Sequence, residues 1–319
     1  MRPLAALYGA LAALHRALSR PRRLKVPVVV VGNLVAGGAG KTPTTIAVVR
    51  LLRAFGWHPG IVSRGYGRQG RGLMEARRDS AARDCGDEPL LMRLRTGVPV
   101  MVGRDRVAAA RALCAAHLEV DIVVADDGLQ HHRLARDLQI IVFDERGVGN
   151  GMLLPAGPLR ERVPSEHPSD TIVLYNAPRV SAPLRGWMAV RHQPGVLLLA
   201  DWWLGHTPAP ASWQALRGRP LLAAAGMAAP ERFFDMLRGQ GLTLQTARAL
   251  PDHYPFDELP WPRDTPDVVI TEKDAVKLPP GRAPEAGSAT RIWVVPLDLE
   301  PEVAFAAALK RHFPHPPQH

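Results

Sequence analysis

A chain of 319 residues with 46% apolar side chains can bury more than one core, and its length suits two domains better than one. Its 31 prolines and 28 glycines are spread without period, which excludes collagen-like and low-complexity classes. The formal charge of +10 attracts anions, but scattered arginines, only 6% aromatics and the lack of zinc-finger spacing argue against nucleic acid and leave a phosphorylated substrate or an acidic membrane surface.

In chain order, the first element is a helix. Leu4, Leu7, Leu11, Leu14 and Leu18 form one stripe, with Arg2, Arg16 and Arg20 on the opposite side. It lacks the continuous apolar core of a signal peptide, and Arg16 interrupts any membrane span. Pro21, Arg22, Arg23 and Lys25 add a basic cluster suited to anionic headgroups. The pattern alone fits a helix on a membrane and a helix on its own domain equally well.

A β-branched run from Val26 to Val31 follows, then a Gly-rich turn and a helical stretch from Thr42 to about Arg53. Val35-Ala36-Gly37-Gly38-Ala39-Gly40-Lys41-Thr42 matches the phosphate-loop pattern GxxxxGK[ST] except that Val35 replaces the first Gly. Glycines let backbone N–H groups close around phosphate oxygens, Lys41 reaches the terminal phosphates, and the Thr42 hydroxyl suits magnesium at a helix N-terminus. ATP or GTP binding is the strongest local inference.

Further apolar runs at 61–63, 98–102, 122–125, 140–143 and 171–175 alternate with helical patterns, which predicts a parallel, doubly covered sheet. The run at 122–125 ends in Asp126 and Asp127. An acid at such a strand end orients magnesium; acid pairs also sit there as turn residues, but a phosphate loop upstream favours the metal role, with the division between the two carboxylates open. In Gly86-Asp87-Glu88-Pro89, Asp87 read locally is an N-cap and Glu88 a first-turn charge. Cys85 and Cys114 have no CxxC spacing and read as structural thiols of a reducing compartment. After about Val180 the texture turns Pro- and Trp-rich, and strands at 221–225, 268–270 and 292–295 predict a smaller second α/β domain. The expected division is therefore residues 1–25 as the N-terminal helix, 26–180 as a P-loop NTPase-like parallel-sheet domain, 181–219 as a linker and 220–319 as the smaller domain. A cleft between such domains is where a nucleotide and an acceptor would meet. Asp252-His253 reads as a surface pair or as an acid–base element facing that cleft.

Taken together these segments resemble the tetraacyldisaccharide 4'-kinase family. The resemblance includes Ser63-Arg64-Gly65-Tyr66-Gly67-Arg68, Asp126-Asp127-Gly128-Leu129-Gln130-His131, Leu154-Pro155-Ala156-Gly157-Pro158-Leu159-Arg160-Glu161, Asp252-His253-Tyr254-Pro255-Phe256 and Thr271-Glu272-Lys273-Asp274-Ala275-Val276-Lys277. A residue other than Gly at position 35 is usual in that family. The resemblance implies transfer of the ATP γ-phosphate to the 4'-hydroxyl of a tetraacylated glucosamine disaccharide 1-phosphate. It also implies a peripheral enzyme on the cytoplasmic face of the bacterial inner membrane, docked through the first helix, with no nucleic acid and no obligate protein partner. By the same resemblance Asp87 is the base, His253 tunes it across the cleft, Lys41 holds phosphate, and Thr42, Asp126 and Asp127 support Mg2+. Arg64, Tyr66, Glu88, Arg160 and Glu161 are then the expected contacts to the disaccharide or its phosphate. A guanine-nucleotide switch is the rival, but it needs Asn-Lys-x-Asp, and Thr271-Glu272-Lys273-Asp274 carries Glu where that Lys is required.

Overall fold

Val28 to Val31 are buried on both faces, as a run of β-branched residues is when helices cover a parallel sheet on both sides. The computed structural model describes residues 1–164, 168–279 and 290–316. In chain order the elements are α1 (Arg2–Leu18), β1 (Val28–Gly32), α2 (Lys41–Ala54), β2 (Pro59–Ser63), β3 (Met74–Ala76), α3 (Ala82–Cys85), α4 (Asp87–Thr96), β4 (Val100–Val102), α5 (Arg106–Ala116), β5 (Ile122–Asp126), β6 (Leu138–Asp144), β7 (Thr171–Asn176) and β8 (Trp187–His192). There follow β9 (Leu197–Leu198), α6 (Leu199–Leu204), β10 (Leu221–Gly226), α7 (Pro230–Gly239), β11 (Leu244–Leu250), β12 (Asp267–Thr271), α8 (Glu272–Ala275), β13 (Arg291–Val295), β14 (Asp298–Pro301) and α9 (Val303–His312).

Nine strands form the larger sheet in the order β14-β8-β7-β6-β1-β5-β2-β4-β3. Its pairings are parallel except at the edges, where β3 and β14 run antiparallel to their neighbours. The smaller sheet has five strands, β11-β10-β12-β13-β9, parallel except for β9. The α/β architecture is thus the expected one: a P-loop sheet and a smaller α/β sheet. The chain crosses between them more than once. Within 181–219, expected as a linker, β8 extends the larger sheet and β9 the smaller one. The last segment returns: β14 pairs with β8, and Phe305, Leu309 and Phe313 from α9 and its end join the core of the first sheet. A single apolar cluster runs from Val29 and Ile140 in the larger sheet through Trp202 and Phe256 to Val268 in the smaller one.

A buried ion-pair group also ties the two units. Arg95 on α4, 11% exposed in its side chain, bonds Glu272 of α8 and Asp298 of β14; Glu272 also accepts the Leu297 N–H at 3.2 Å. Removing the guanidinium would leave the buried Glu272 without its cation and Asp298 with Arg50 alone, at 2.8 Å. Arg95→Ala is expected to lower unfolding free energy by about 3–5 kcal/mol in urea titration, the usual cost of breaking a buried pair; a loss below about 1 kcal/mol would mean that water screens the group.

Candidate active site

The loop between β1 and α2 is shaped by its glycines and by side chains that grip its carbonyls. Gly37 and Gly40 lie at φ 95° and 87°, and a Cβ on Gly40 would fall 1.9 Å from Asn176 Nδ2. Asn33, fully buried at the end of β1, donates from Nδ2 to the carbonyls of Val35 and Gly37 at 2.6 and 3.1 Å. Asn176 donates to the Ala39 carbonyl at 3.1 Å and accepts from Arg191. Arg146, fixed by Asp144, donates to the carbonyls of Ala36 and Gly38 at 3.4 and 3.1 Å. With carbonyls turned outward to these donors, the loop leaves its N–H groups beyond Ala36 for an anion at the start of α2. Ala36 N–H also bonds the Pro158 carbonyl at 2.8 Å, and Val35 bridges Leu159, so the loop leans on the segment that carries Arg160 and Glu161.

Asp126 closes β5, and Asp127 follows at φ 47°. Thr45 and Ser63 hydroxyls donate to the two Asp126 oxygens at 3.1 and 3.2 Å. Burial pushes this carboxyl up to about 7, the carboxylates of Glu88 and Asp127 add repulsion, and Lys41 with the Thr45 bond pulls it back. Asp127 is met by Lys41 Nζ at 3.8 Å and by Arg160 Nη1 at 3.4 Å. A buried acid with no cation in salt-bridge reach, together with the Thr42 hydroxyl at the start of α2, suits magnesium, which takes one or two carboxylates and completes its shell with phosphate and water.

Asp87 is not the N-cap that its local sequence suggests. Gly86 takes the cap position at φ 101°, and Asp87 begins α4, its side chain turned to the smaller domain. There His253 Nδ1 lies 3.0 Å from Asp87 Oδ2, and Lys277 Nζ lies 4.0 Å from the same oxygen. His253 sits after β11 at φ 60°, outside the region ordinary residues favour. Its bond to Asp87 raises its pKa above 6.5, against burial, which lowers it. Since the folded value is raised, the pair stabilises the fold fully below pH 6.5, and the contribution is lost as pH rises through the higher folded value. The neighbouring Glu88 pairs with Lys273 at 3.4 Å.

Two cavities flank the start of α4, Glu88 lining one and Asp87 the other. One, of about 300 Å³, runs from Gly38, Gly40 and Thr42 past Glu88 to an apolar end at Phe233, Met236 and Val295. The other, of about 420 Å³, is bounded by Tyr66, Gln69, Asp87, His253, Pro255 and Lys277. The phosphate loop and Asp87–His253 are therefore brought to adjoining spaces. The expected sugar contacts divide. Tyr66 borders the second cavity, with its ring 5.9 Å from that of His253, whereas Glu88 borders the first. Arg160 faces Asp127, Glu161 stands 3.9 Å from His132, and Arg64 is exposed at the end of β2. Lys277, Asn176 and Arg191 were not selected from sequence as site residues; only the Thr271–Lys277 motif hinted at the first, and nothing local singles out Asn176 or Arg191.

The fold and the loop define a phosphotransferase of the P-loop α/β class, with a second domain facing the loop. The sequence profile described as LpxK, tetraacyldisaccharide-1-P 4'-kinase, matches residues 1–314, and the chain belongs to this family. It is 57% identical over 315 residues to the tetraacyldisaccharide 4'-kinase of Methylibium petroleiphilum, covering 97% of this chain and 88% of that protein. It is 52% identical to that of Leptothrix cholodnii, covering 98% and 91%. A crystal structure of the "apo" form of LpxK from Aquifex aeolicus in complex with ATP has the same fold, with TM-score 0.78, 23% identity and 98% of each chain covered.

The upward shift at Asp126 carries a sign. Because its folded value of about 7 exceeds the ordinary 3.8, ionising it costs stability as pH rises from the lower value to the higher. Asp126→Asn is expected to raise the melting temperature of the nucleotide-free, metal-free protein at pH 8; a lower melting temperature would mean that the carboxylate is stabilised there.

Proposed function

We propose that this chain phosphorylates the 4'-hydroxyl of tetraacyldisaccharide 1-phosphate with ATP, and that Asp87 takes the hydroxyl proton. The observation that carries the reading is the Asp87–His253 pair lining the second cavity, with the next residue, Glu88, lining the phosphate-loop cavity. The loop N–H groups and Lys41 hold the β and γ phosphates; the base of the nucleotide lies toward Phe233 and Met236. The sugar hydroxyl approaches Asp87 from the side of Tyr66. Its proton passes to Asp87 as the new O–P bond forms and the bond to the ADP oxygen breaks, and the His253 ring holds the acid in place. Thr42, Asp126 and Asp127 would hold Mg2+, which neutralises phosphate charge when bound. Arg160 and Glu161, beside Asp127, and Arg64 belong to the acceptor side.

The membrane supplies the acceptor. Leu4, Leu7, Leu11, Leu14 and Leu18 are between 54% and 72% exposed, while α1 rests on the protein through Ala5, Tyr8 and Gly9. The Tyr8 hydroxyl donates to the Arg160 carbonyl at 3.1 Å, and a Cβ on Gly9 would meet Leu153 at 2.7 Å. Small residues thus take the packing, which leaves a leucine stripe for acyl chains and Arg20, Arg22, Arg23 and Lys25 for headgroups of the inner membrane's cytoplasmic face. Among the described residues no helix is long and apolar enough to cross a membrane.

With γ-labelled ATP, magnesium and tetraacyldisaccharide 1-phosphate in mixed micelles, wild type is expected to label the lipid. Lys41→Ala and Asp87→Ala are each expected to lose at least about 100-fold in rate, the scale of a lost electrostatic or general-base group. ATP turnover with no lipid label would overturn the reading. Replacing Leu7, Leu11 and Leu14 by Ser is expected to move the protein from the pellet to the supernatant when sedimented with anionic vesicles, with melting temperature retained; undiminished pelleting would remove α1 as the docking element.

A further inference from the structure

Lys277 follows α8 and turns inward, with its side chain 6% exposed. A buried ammonium needs partners, and groups on both domains surround this one. Asp274 Oδ1 accepts from Nζ at 3.0 Å. The Phe256 ring lies beneath it, 5.2 Å from Nζ to the centroid. Asp87 Oδ2, from the other domain, stands 4.0 Å away.

The first partner is a fixed point. Asp274 is fully buried, and its second oxygen accepts from the Gly226 N–H at 3.0 Å and the Thr271 hydroxyl at 2.7 Å. The second belongs to the His253 loop: Phe256 is at φ 57°, like His253 in the left-handed region, and is wedged between Tyr254 and Trp261 at ring distances of 5.1 and 6.1 Å. The third is the oxygen that His253 also holds. Asp87 Oδ2 therefore meets both His253 and Lys277, and Oδ1 meets neither.

We propose that Lys277 is a positioning residue for phosphate transfer: anchored by Asp274 and seated on Phe256, its ammonium fixes Asp87 Oδ2 so that Oδ1 meets the sugar hydroxyl, an assignment that rests on Asp87 being the base. The proton moves from the hydroxyl to Oδ1 while the sugar oxygen bonds to the γ-phosphorus and ADP leaves; Lys277 keeps its protons throughout. Around Asp87 stand Asp84, Cys85 and Glu88 on its own segment, Arg83 and Asp257 on the walls of its cavity, Asp252 and His253 across the cleft, and Lys273, Asp274 and Lys277 at α8. Lys273 serves Glu88, so Lys277 and, when protonated, His253 are the cations within 4.0 Å of Asp87 among the described residues.

The test is the pH dependence of lipid phosphorylation by wild type, Asp87→Ala, Lys277→Gln, Lys277→Arg, and the double variant Asp274→Asn with Lys277→Met, which removes the buried pair as a unit and strands no charge. Lys277→Gln is expected to lower kcat by on the order of tenfold or more, with KM for ATP within about twofold, and to move the acid limb of kcat/KM to higher pH, because a base that loses a neighbouring cation protonates more readily. Lys277→Arg is expected to restore the limb and most of the rate. The double variant is expected to melt cooperatively and to show the displaced limb. A folded double variant with the wild-type limb and rate overturns the proposal, as does a Lys277→Gln loss uniform in pH and equal in KM for ATP. If Asp87→Ala is as active as wild type, the base assignment falls and this role with it.

Discussion

Like charges crowd this site before any nucleotide enters it. Asp87, Glu88, Asp126 and Asp127 come from a helix start and a strand end, and the substrates to be joined are both phosphorylated. The protein separates the acids by giving most of them a cation: Lys41 and Arg160 to Asp127, Lys273 to Glu88, His253 and Lys277 to Asp87. Asp126 receives two hydroxyls instead, and its carboxyl rises to about 7. The one acid left without a cation in salt-bridge reach is the one a divalent ion would best compensate.

Several of these cations lie on the smaller domain, which makes the relation between the two sheets part of the chemistry. His253, Lys273 and Lys277 all reach across to α4. The crossing chain explains how so polar a seam is held. β8 and β9 leave for different sheets, β14 and α9 return, Arg95 is locked between Glu272 and Asp298, and a continuous apolar cluster lies behind. Strained backbone at Phe256 is tolerated because Tyr254 and Trp261 confine its ring.

At the opposite side of the phosphate loop the chain uses small residues to leave large ones free. Ala5 and Gly9 allow α1 to lie close to Leu153, and Tyr8 ties it to Arg160, one bond from Asp127. The proposed membrane face and the acceptor-side residues are therefore mechanically adjacent, as a kinase for a lipid held in a bilayer requires.

The sequence by itself determined the strands, the loop and the strand-end acids, because these depend on local chemistry: valines that pleat, glycines that accept positive φ, apolar runs that must be covered twice. It also carried the family through motifs spread over the whole chain. The pairing of Asp87 with His253, 166 positions apart, was legible only as resemblance, and local pattern made Asp87 a cap. Strands β3, β8, β9, β11 and β14 gave little signal, being short, at sheet edges or half exposed, where polar residues interrupt the apolar run. The places of Lys277, Asn176 and Arg191 were decided by tertiary structure alone. Each is an ordinary polar residue until packing removes its water, and only then does its choice of partner become a constraint on the site.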